Sequence, residues 1–319
     1  ISWNEAIINL HNPKKKNEEK KYINRLVFDE ILSTFLINSN IRKNFKKKSK
    51  IPKNIFPNLI KLIEKKIGFE LTTDQIKALD QINLDISSKE RMFRLLQGDV
   101  GSGKTIVSLI AAINVILNSY QVAFMAPTEI LAKQHYNLFL KLFKKKFNVE
   151  ILTGKTEYTK KKKILLNLIN KKIDILFGTH ALFQKSIKFK KLGLIIIDEQ
   201  HKFGVNQRKK LSEKGGANCD VLVMSATPIP RTMMMTLYGD MDITLIKTKP
   251  KYRKEIITYS KDINKIDDVI NFIKKEIDNC NQIFWVCPLI EESKKLDHQS
   301  AITRYEYLKK IFKNKIDLI

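Results

Sequence analysis

The sequence predicts an α/β fold built on a parallel β-sheet with helices on both faces, and three observations carry that reading. Apolar runs at 93–97, 121–126, 149–153, 173–177, 193–198 and 220–224 alternate with helical segments, the rhythm of successive βαβ units. A glycine-rich turn, Gly98-Asp99-Val100-Gly101-Ser102-Gly103-Lys104-Thr105, separates the first of those runs from an apolar helix, Ile106–Leu117. The run Leu194-Ile195-Ile196-Ile197 is apolar without alternation, as a strand buried on both faces must be, and it ends in two acids, Asp198 and Glu199.

Residues 1–66 come first and read as a helical linker region without a chemical motif. Ile23, Leu26, Val27, Ile31, Phe35 and Leu36 recur at helical spacing between Glu18 and Asn38. A basic, proline-punctuated connector is expected over Lys43–Pro57 and a second short helix over Pro57–Lys66. Residues 67–249 hold the alternating pattern. Residues 250–319 begin it again, with strands expected at Glu255–Tyr259 and Gln282–Cys287 and helices near Asn264–Asp278 and Ile302–Phe312.

The turn at Gly98–Thr105 fits the phosphate-binding pattern G-x-x-x-x-G-K-[ST]. Between a strand and a helix, such a turn points backbone N–H groups at a polyphosphate, and the helix N-terminus adds positive potential. Lys104 is then the residue that reaches the β- and γ-phosphates, and the Thr105 hydroxyl holds Mg²⁺. About 90 residues further on, Asp198 is the expected second Mg²⁺ holder and Glu199 the group that polarises the attacking water.

Composition bounds the remaining possibilities. A chain of 319 residues, 43% hydrophobic, has room for about two domains with real cores. Lys and Arg number 59 against 33 Asp and Glu, a formal charge of +26 that attracts polyanions with strong salt dependence. Drift toward Lys, Asn and Ile under AT-biased coding produces the same excess, so the charge alone is modest support for DNA binding. The lysine clusters at 14–16, 46–48, 144–146 and 160–163 read as solvated faces, and sparse aromatics offer no base-stacking platform. Cys219, Cys280 and Cys287 have neither zinc spacing nor an even framework and read as reduced, buried thiols. No membrane-length apolar stretch and no signal peptide is present, so a cytoplasmic location is expected. The chain opens on Ile1 and stops at Ile319, which suggests a fragment, a decayed gene product or a non-standard start codon.

Asp198-Glu199-Gln200-His201 runs on through Lys202 to Arg208, and Ser225-Ala226-Thr227-Pro228-Ile229-Pro230-Arg231-Thr232 follows the run Asp220–Met224. With Gln97–Thr105, these segments resemble the superfamily 2 helicases and, within them, the bacterial RecG family of branched-DNA helicases. The resemblance covers about Phe69 to Ile311. Transcription–repair coupling translocases share the Gly98–Gly101 turn and the Ser225–Thr232 segment, whereas Ser102, Gln200-His201 and Trp285–Ser293 look more like RecG.

The resemblance implies a RecA-like ATP-binding domain at 67–249 and an incomplete second RecA-like domain at 250–319. The N-terminal wedge domain and the C-terminal helicase motifs would be absent. ATP and Mg²⁺ are the implied cofactors, and branched or forked DNA is the implied partner, with no stable protein partner and no membrane. Gln75 sits about one helix before the phosphate loop, where such helicases read adenine, and an amide matches the donor and acceptor of that base's edge. Phe69 would stack near the base. Pro127-Thr128, Gly154-Lys155 and Thr179-His180 each follow a strand, and by resemblance they grip DNA phosphates, so shape rather than base order is read. Ser225, Ala226 and Thr227, with Gln200 and His201, would couple nucleotide state to that grip; His201 has a second reading as a structural histidine.

The implied function is an ATP-dependent DNA helicase or translocase that remodels stalled forks and Holliday junctions in bacterial recombination and repair. A coupling translocase and a non-catalytic remnant that binds ATP or DNA are the alternatives; a small-molecule P-loop kinase does not account for Ser225–Thr232. Beyond residue 250 the only arginines are Arg253 and Arg304, and neither lies in a recognisable arginine-finger motif. Slow, weakly DNA-stimulated hydrolysis by this chain is therefore expected.

Overall fold

In a computed structural model of the chain, residues 1–12, 19–46, 49–143, 146–184, 186–199, 216, 218–227, 241–249, 256–287 and 301–318 are described. The strands are β1 (Phe93–Gly98), β2 (Gln121–Met125), β3 (Val149–Leu152), β4 (Ile175–Gly178), β5 (Leu192–Ile197), β6 (Asp220–Ser225) and β7 (Asp242–Ile246). They form one sheet in the order β3-β4-β2-β5-β6-β1-β7, with every pair parallel. The helices are α1 (Trp3–His11), α2 (Glu19–Lys46), α3 (Asn58–Ile67), α4 (Thr73–Ser87), α5 (Lys104–Leu117), α6 (Glu129–Phe143), α7 (Tyr158–Ile169), α8 (Ile266–Asp278) and α9 (Ala301–Phe312).

All six runs expected between 93 and 224 form strands, within two residues of their predicted bounds. The two-sided burial read from β5 is present: Leu194 and Ile196 pack with α3–α6, while Ile195 and Ile197 pack on the opposite layer with Ile164 and Leu168 of α7. Helix α5 is covered all round, with every residue from Val107 to Ile116 buried. Its apolar sequence needs that environment, since a helix hydrophobic on all sides is stable only in a core. β7 was not expected. It is a short edge strand that pairs with β1 alone and leaves Leu245 exposed, so it carries neither a long apolar run nor a glycine-bounded hairpin signal.

The chain divides into two compact units, Ile1–Arg253 and Lys254–Ile319. In the first, α1 is opened by a capping box between Ser2 and Glu5, an element the sequence reading missed. Helix α2 runs past the expected end at Asn38 to Lys46, because Lys and Arg sustain helix better than they sustain loop. Its apolar stripe does not build a core: Ile23, Val27, Ile31, Phe35 and Leu36 are all exposed. In the second unit α8 buries Ile270 and Ile273, and α9 buries Leu308. The strands expected there are not formed among the described residues. Residues 256–259 and 281–287 are irregular, with Ile256, Ile257, Tyr259, Phe284 and Val286 exposed, and an extended segment gains ladder hydrogen bonds only beside a second strand.

The basic connector after α2 is bound to the first unit by chemistry its composition conceals. Lys50 Nζ donates to Asp220 Oδ1 at 2.6 Å and Lys53 Nζ to Asp220 Oδ2 at 2.7 Å, with all three side chains fully buried. Met92 N–H adds a third donor to Oδ1 at 2.8 Å. Lys50 also donates to the Asp85 carbonyl at 2.7 Å and Lys53 to the Asn218 carbonyl at 3.1 Å. Two cations thus share one carboxylate at the start of β6, and each gives a second ammonium hydrogen to a backbone carbonyl.

Candidate nucleotide and DNA site

The sheet order sorts the expected site residues. All seven strands point the same way, so the loops after them lie along one edge. Adjacent strands β5, β6 and β1 lead into Asp198-Glu199, Ser225–Thr227 and the Gly98–Thr105 turn. Adjacent strands β3, β4 and β2 lead into Gly154-Lys155, Thr179-His180 and Pro127-Thr128. Loops scattered over more than a hundred residues of sequence therefore fall into two neighbouring groups, one for phosphate chemistry and one of small, polar, strand-end residues.

In the first group, Gly101 (φ 78°) and Gly103 (φ 87°) adopt the left-handed conformation that winds the loop into the start of α5. A side chain at Gly103 would run into the Gln75 amide, and one at Gly98 would meet Ser102 Oγ at 2.5 Å and the Ile246 carbonyl at 2.9 Å. Lys104 Nζ donates to the carbonyls of Gly98 at 2.6 Å and Asp99 at 3.0 Å, lying folded along the loop it belongs to. Burial pushes its pKa below the usual lysine value, partly offset by the charges of Glu199, Asp198 and Asp99. The lysine and the two acids from β5 thus share one electrostatic field. Ser102 Oγ is buried beside Gly98 without a hydrogen-bond partner among the described residues, a polar atom of the phosphate turn that the chain itself leaves unsatisfied.

Val100 and Asp99 are exposed on the outer rim, and Thr105 is half-buried at the first turn of α5. The Thr105 hydroxyl and the Asp198 carboxylate are hard oxygen donors of the kind Mg²⁺ prefers. Among the described residues no group of three or more His, Cys, Asp or Glu side chains gathers to hold a metal. Asp198 is fixed at the end of β5 by its N–H, which donates to the Met125 carbonyl at 2.8 Å. Glu199 follows with φ 52°, an uncommon conformation for a residue with a side chain, at the place where water activation is expected.

Gln75 is buried at the N-terminus of α4, where it completes a capping box. Its Oε1 accepts from Thr72 N–H at 2.9 Å, and its Nε2 donates to the Ser102 carbonyl at 2.8 Å. The amide therefore braces the phosphate loop directly. Phe69 is half-buried just before that cap. Ser225 Oγ and Thr227 Oγ1 lie 3.0 Å apart, Ala226 between them is half-buried, and the Thr227 carbonyl accepts from Gln97 Nε2 at 2.8 Å. Gln200, His201, the segment Lys202–Arg208, Pro228–Thr232 and Arg253 lie outside the described residues.

In the second group, Thr128 caps α6, its Oγ1 accepting from Leu131 N–H at 3.3 Å, and Pro127 is half-buried before it. Gly154 and Lys155 are exposed, and a side chain on Gly154 would sit 3.3 Å from Glu129 Oε1, so the β2 and β3 loops adjoin. Thr179 precedes a 3₁₀ turn, His180–Phe183, after β4. Two residues at this edge escaped the sequence reading. Gln97 was read as the strand end that opens the Gln97–Thr105 segment, without its bond to Thr227. His135 faces inward from α6 on the stripe Ala132, His135, Phe139 and Phe143, and its Nε2 lies 2.8 Å from Asp198 Oδ2. The signal for it was a polar residue standing where the period of the helix calls for an apolar one.

The thiols depart from expectation. Cys219 is buried, but Cys280 is exposed and Cys287 half-buried. Arg304 rests over the rings of Trp285 and Tyr307, 5.1 and 5.8 Å from their centroids.

A parallel sheet with a glycine-rich turn, a strand-end acid pair and a second set of polar loops on the same edge defines a RecA-like P-loop domain of the helicase kind. Residues 72–236 match the family model described as DEAD/DEAH box helicase, and the chain belongs to that family. It is 44% identical over 308 residues to the ATP-dependent DNA helicase RecG of Thermotoga maritima, covering 96% of this chain and 39% of the relative. The RecG of Bacillus subtilis is also 44% identical, over 98% of this chain and 46% of the relative. The structure of RecG bound to a three-way DNA junction aligns at a TM-score of 0.78 and 39% identity, over 96% of this chain and 40% of that one. The resemblance to RecG-type helicases read from the motifs is thus borne out, and the chain spans about two-fifths of the length of the curated relatives it matches. The structure of Mss116p bound to ssRNA and AMP-PNP shares the fold at 20% identity and a TM-score of 0.52.

Proposed function

We propose that this chain works within an ATP-dependent DNA helicase that remodels branched DNA, such as stalled forks and Holliday junctions, in the bacterial cytoplasm. Residues 67–249 would be its ATP-binding motor domain, residues 1–66 its helical linker and residues 250–319 part of a second RecA-like domain. The observation that carries the reading is the division of one sheet edge into a nucleotide group on β5-β6-β1 and a DNA group on β3-β4-β2. The RecG relatives, one of them named as bound to a three-way junction, support branched DNA as the partner. No helix among the described residues is long and apolar enough to cross a membrane.

On this reading Lys104 leaves the Gly98 and Asp99 carbonyls to meet the β- and γ-phosphates, and the backbone N–H groups of residues 101–105 with Ser102 Oγ complete the cradle. Mg²⁺ bound with ATP would neutralise charge developing on the transferred phosphoryl group. Thr105 and Asp198 would hold it, and Glu199 would orient the attacking water. Gln75 would read adenine by exchanging the Ser102 carbonyl for the base edge. Gln97 and the Ser225–Thr227 segment, with Gln200 and His201, would pass the nucleotide state along the edge to Pro127-Thr128, Gly154-Lys155 and Thr179-His180. These residues contact phosphates, so binding depends on salt and DNA shape rather than base order.

The test is ATP hydrolysis by the purified chain with no DNA, linear duplex and a synthetic three-way junction, each over a salt series. Slow turnover, weakly stimulated by DNA and indifferent to base sequence, with DNA binding that falls steeply with salt, is the expected result; stimulation set by sequence would overturn it. A second reading, binding without turnover, is favoured by Arg304, whose guanidinium is engaged by Trp285 and Tyr307. Nucleotide and DNA binding without phosphate release would select it.

A further inference from the structure

His135 stands on α6, the helix that opens at the DNA-group loop Pro127-Thr128, yet its ring reaches across to the acid of the nucleotide group. Nε2 lies 2.8 Å from Asp198 Oδ2, and both residues are buried, each 8% exposed. An ionised carboxylate only accepts hydrogen bonds, so Nε2 carries the hydrogen and donates it. The ring is held on its other side by Phe124 of β2, with centroids 4.8 Å apart and planes tilted by 44°. Asp198 is pinned from behind by its own N–H on the Met125 carbonyl at 2.8 Å. Backbone, carboxylate and imidazole are each fixed by a neighbour, so the carboxylate has one orientation.

Resting on the nucleotide reading above, we propose that His135 is a positioning residue for the metal of Mg-ATP. Its Nε2–H occupies Asp198 Oδ2 and leaves Oδ1 as the oxygen that meets Mg²⁺ or a water of its shell. A carboxylate that serves a metal is commonly oriented by such an outer hydrogen bond, and losing the partner lowers metal affinity or activity by about 10–100-fold. The inference concerns geometry. A structural histidine in a helix stripe needs no acceptor on a catalytic acid, and a packing role would be filled equally well by an aromatic ring.

The experiment measures ATP binding by calorimetry across a Mg²⁺ titration, with an EDTA arm, on the full 319-residue chain. His135→Phe keeps a ring against Phe124 and removes the donor; His135→Gln keeps a donor near the Nε2 position. The expected result is a Mg²⁺ midpoint raised about 10–100-fold in His135→Phe, with affinity in EDTA unmoved, and a midpoint close to wild type in His135→Gln. If His135→Phe does not fold, as judged by circular dichroism, His135→Asn takes its place, because its shorter amide stops near the Nδ1 position. A midpoint in Phe or Asn equal to wild type, or a Gln variant as impaired as either, overturns the proposal. Wild-type chain that binds ATP without any Mg²⁺ dependence overturns the nucleotide reading and this inference together.

Discussion

Gln97 Nε2 donates to the Thr227 carbonyl at 2.8 Å, so the strand that feeds the phosphate loop and the segment that follows β6 are joined by a side chain. β1 and β6 already pair along Phe93–Gln97 and Val221–Ser225, and this bond extends the connection one step beyond the ladder, where the backbone turns away. Gln97 is buried and Thr227 exposed, so the amide is the rigid partner and the loop is the part it restrains.

Gln97→Leu should keep the volume of the strand end and remove that restraint. The cost to stability is expected at about 1 kcal/mol, the ordinary worth of one such bond, read as a lower urea midpoint at unchanged slope. DNA stimulation of hydrolysis should fall by more than ATP affinity does, because the phosphate loop itself is intact. Equal losses in both would assign Gln97 to the loop alone.

Lys104→Ala removes a buried ammonium that shares a field with Asp198 and Glu199. Mg-ATP binding should weaken by at least an order of magnitude, since a charge-assisted contact to phosphate is lost from a partly desolvated site. Glu199→Gln should bind Mg-ATP as wild type does and lose turnover. Calorimetry on the two variants separates them, and equal ATP affinity in wild type and Lys104→Ala would remove the phosphate-loop assignment.

The three thiols should separate by environment. Burial, and the nearby Asp220 charge, push the Cys219 thiol up to about 12, whereas Cys280 is exposed and Cys287 half-buried. A thiol reagent at pH 8 should therefore label Cys280 fastest, Cys287 more slowly, and Cys219 only in strong denaturant. Labelling of native chain at all three positions, resolved by peptide mass, would show that β6 opens at its start.

The glycine turn and the strand-end acids were legible in the sequence because each is local. Gly98–Thr105 is one turn between a strand and a helix, and Asp198-Glu199 is one strand end. The six strands with long apolar runs were legible for a similar reason, while β7 was not, since an edge strand with Leu245 exposed has half the hydrophobic requirement. His135 and Gln97 were hidden because their partners lie 63 and 130 residues away in sequence. The stripe on α2 shows the converse: periodicity foretold the helix, but Ile23, Val27, Ile31, Phe35 and Leu36 stay exposed among the described residues. Periodicity reports a face, and only the tertiary structure reports what covers it.

Asp220 carries the last and largest stability prediction. Its carboxylate meets Lys50 at 2.6 Å and Lys53 at 2.7 Å, and all three side chains are fully buried. Asp220→Asn would leave two buried ammonium groups without a counter-charge, an expected loss of about 3–5 kcal/mol. Lys50 then gives the pH dependence. Burial is the largest influence on it and, opposed by the Asp220 charge, holds its pKa below the ordinary 10.5, so the folded chain binds this proton less readily than the unfolded chain does. Between the folded value and 10.5 the unfolded state holds more protons, and stability from this group rises with pH through that window. Lys50→Met abolishes the titration. The stability of wild type relative to Lys50→Met should therefore climb as pH rises toward 10.5. Urea melts of both proteins are run in parallel on a Cys219→Ala background, because the Cys219 thiol feels the Lys50 charge. A difference that stays flat or declines over that range would mean that the Asp220 charge matches or outweighs the cost of burying the Lys50 ammonium.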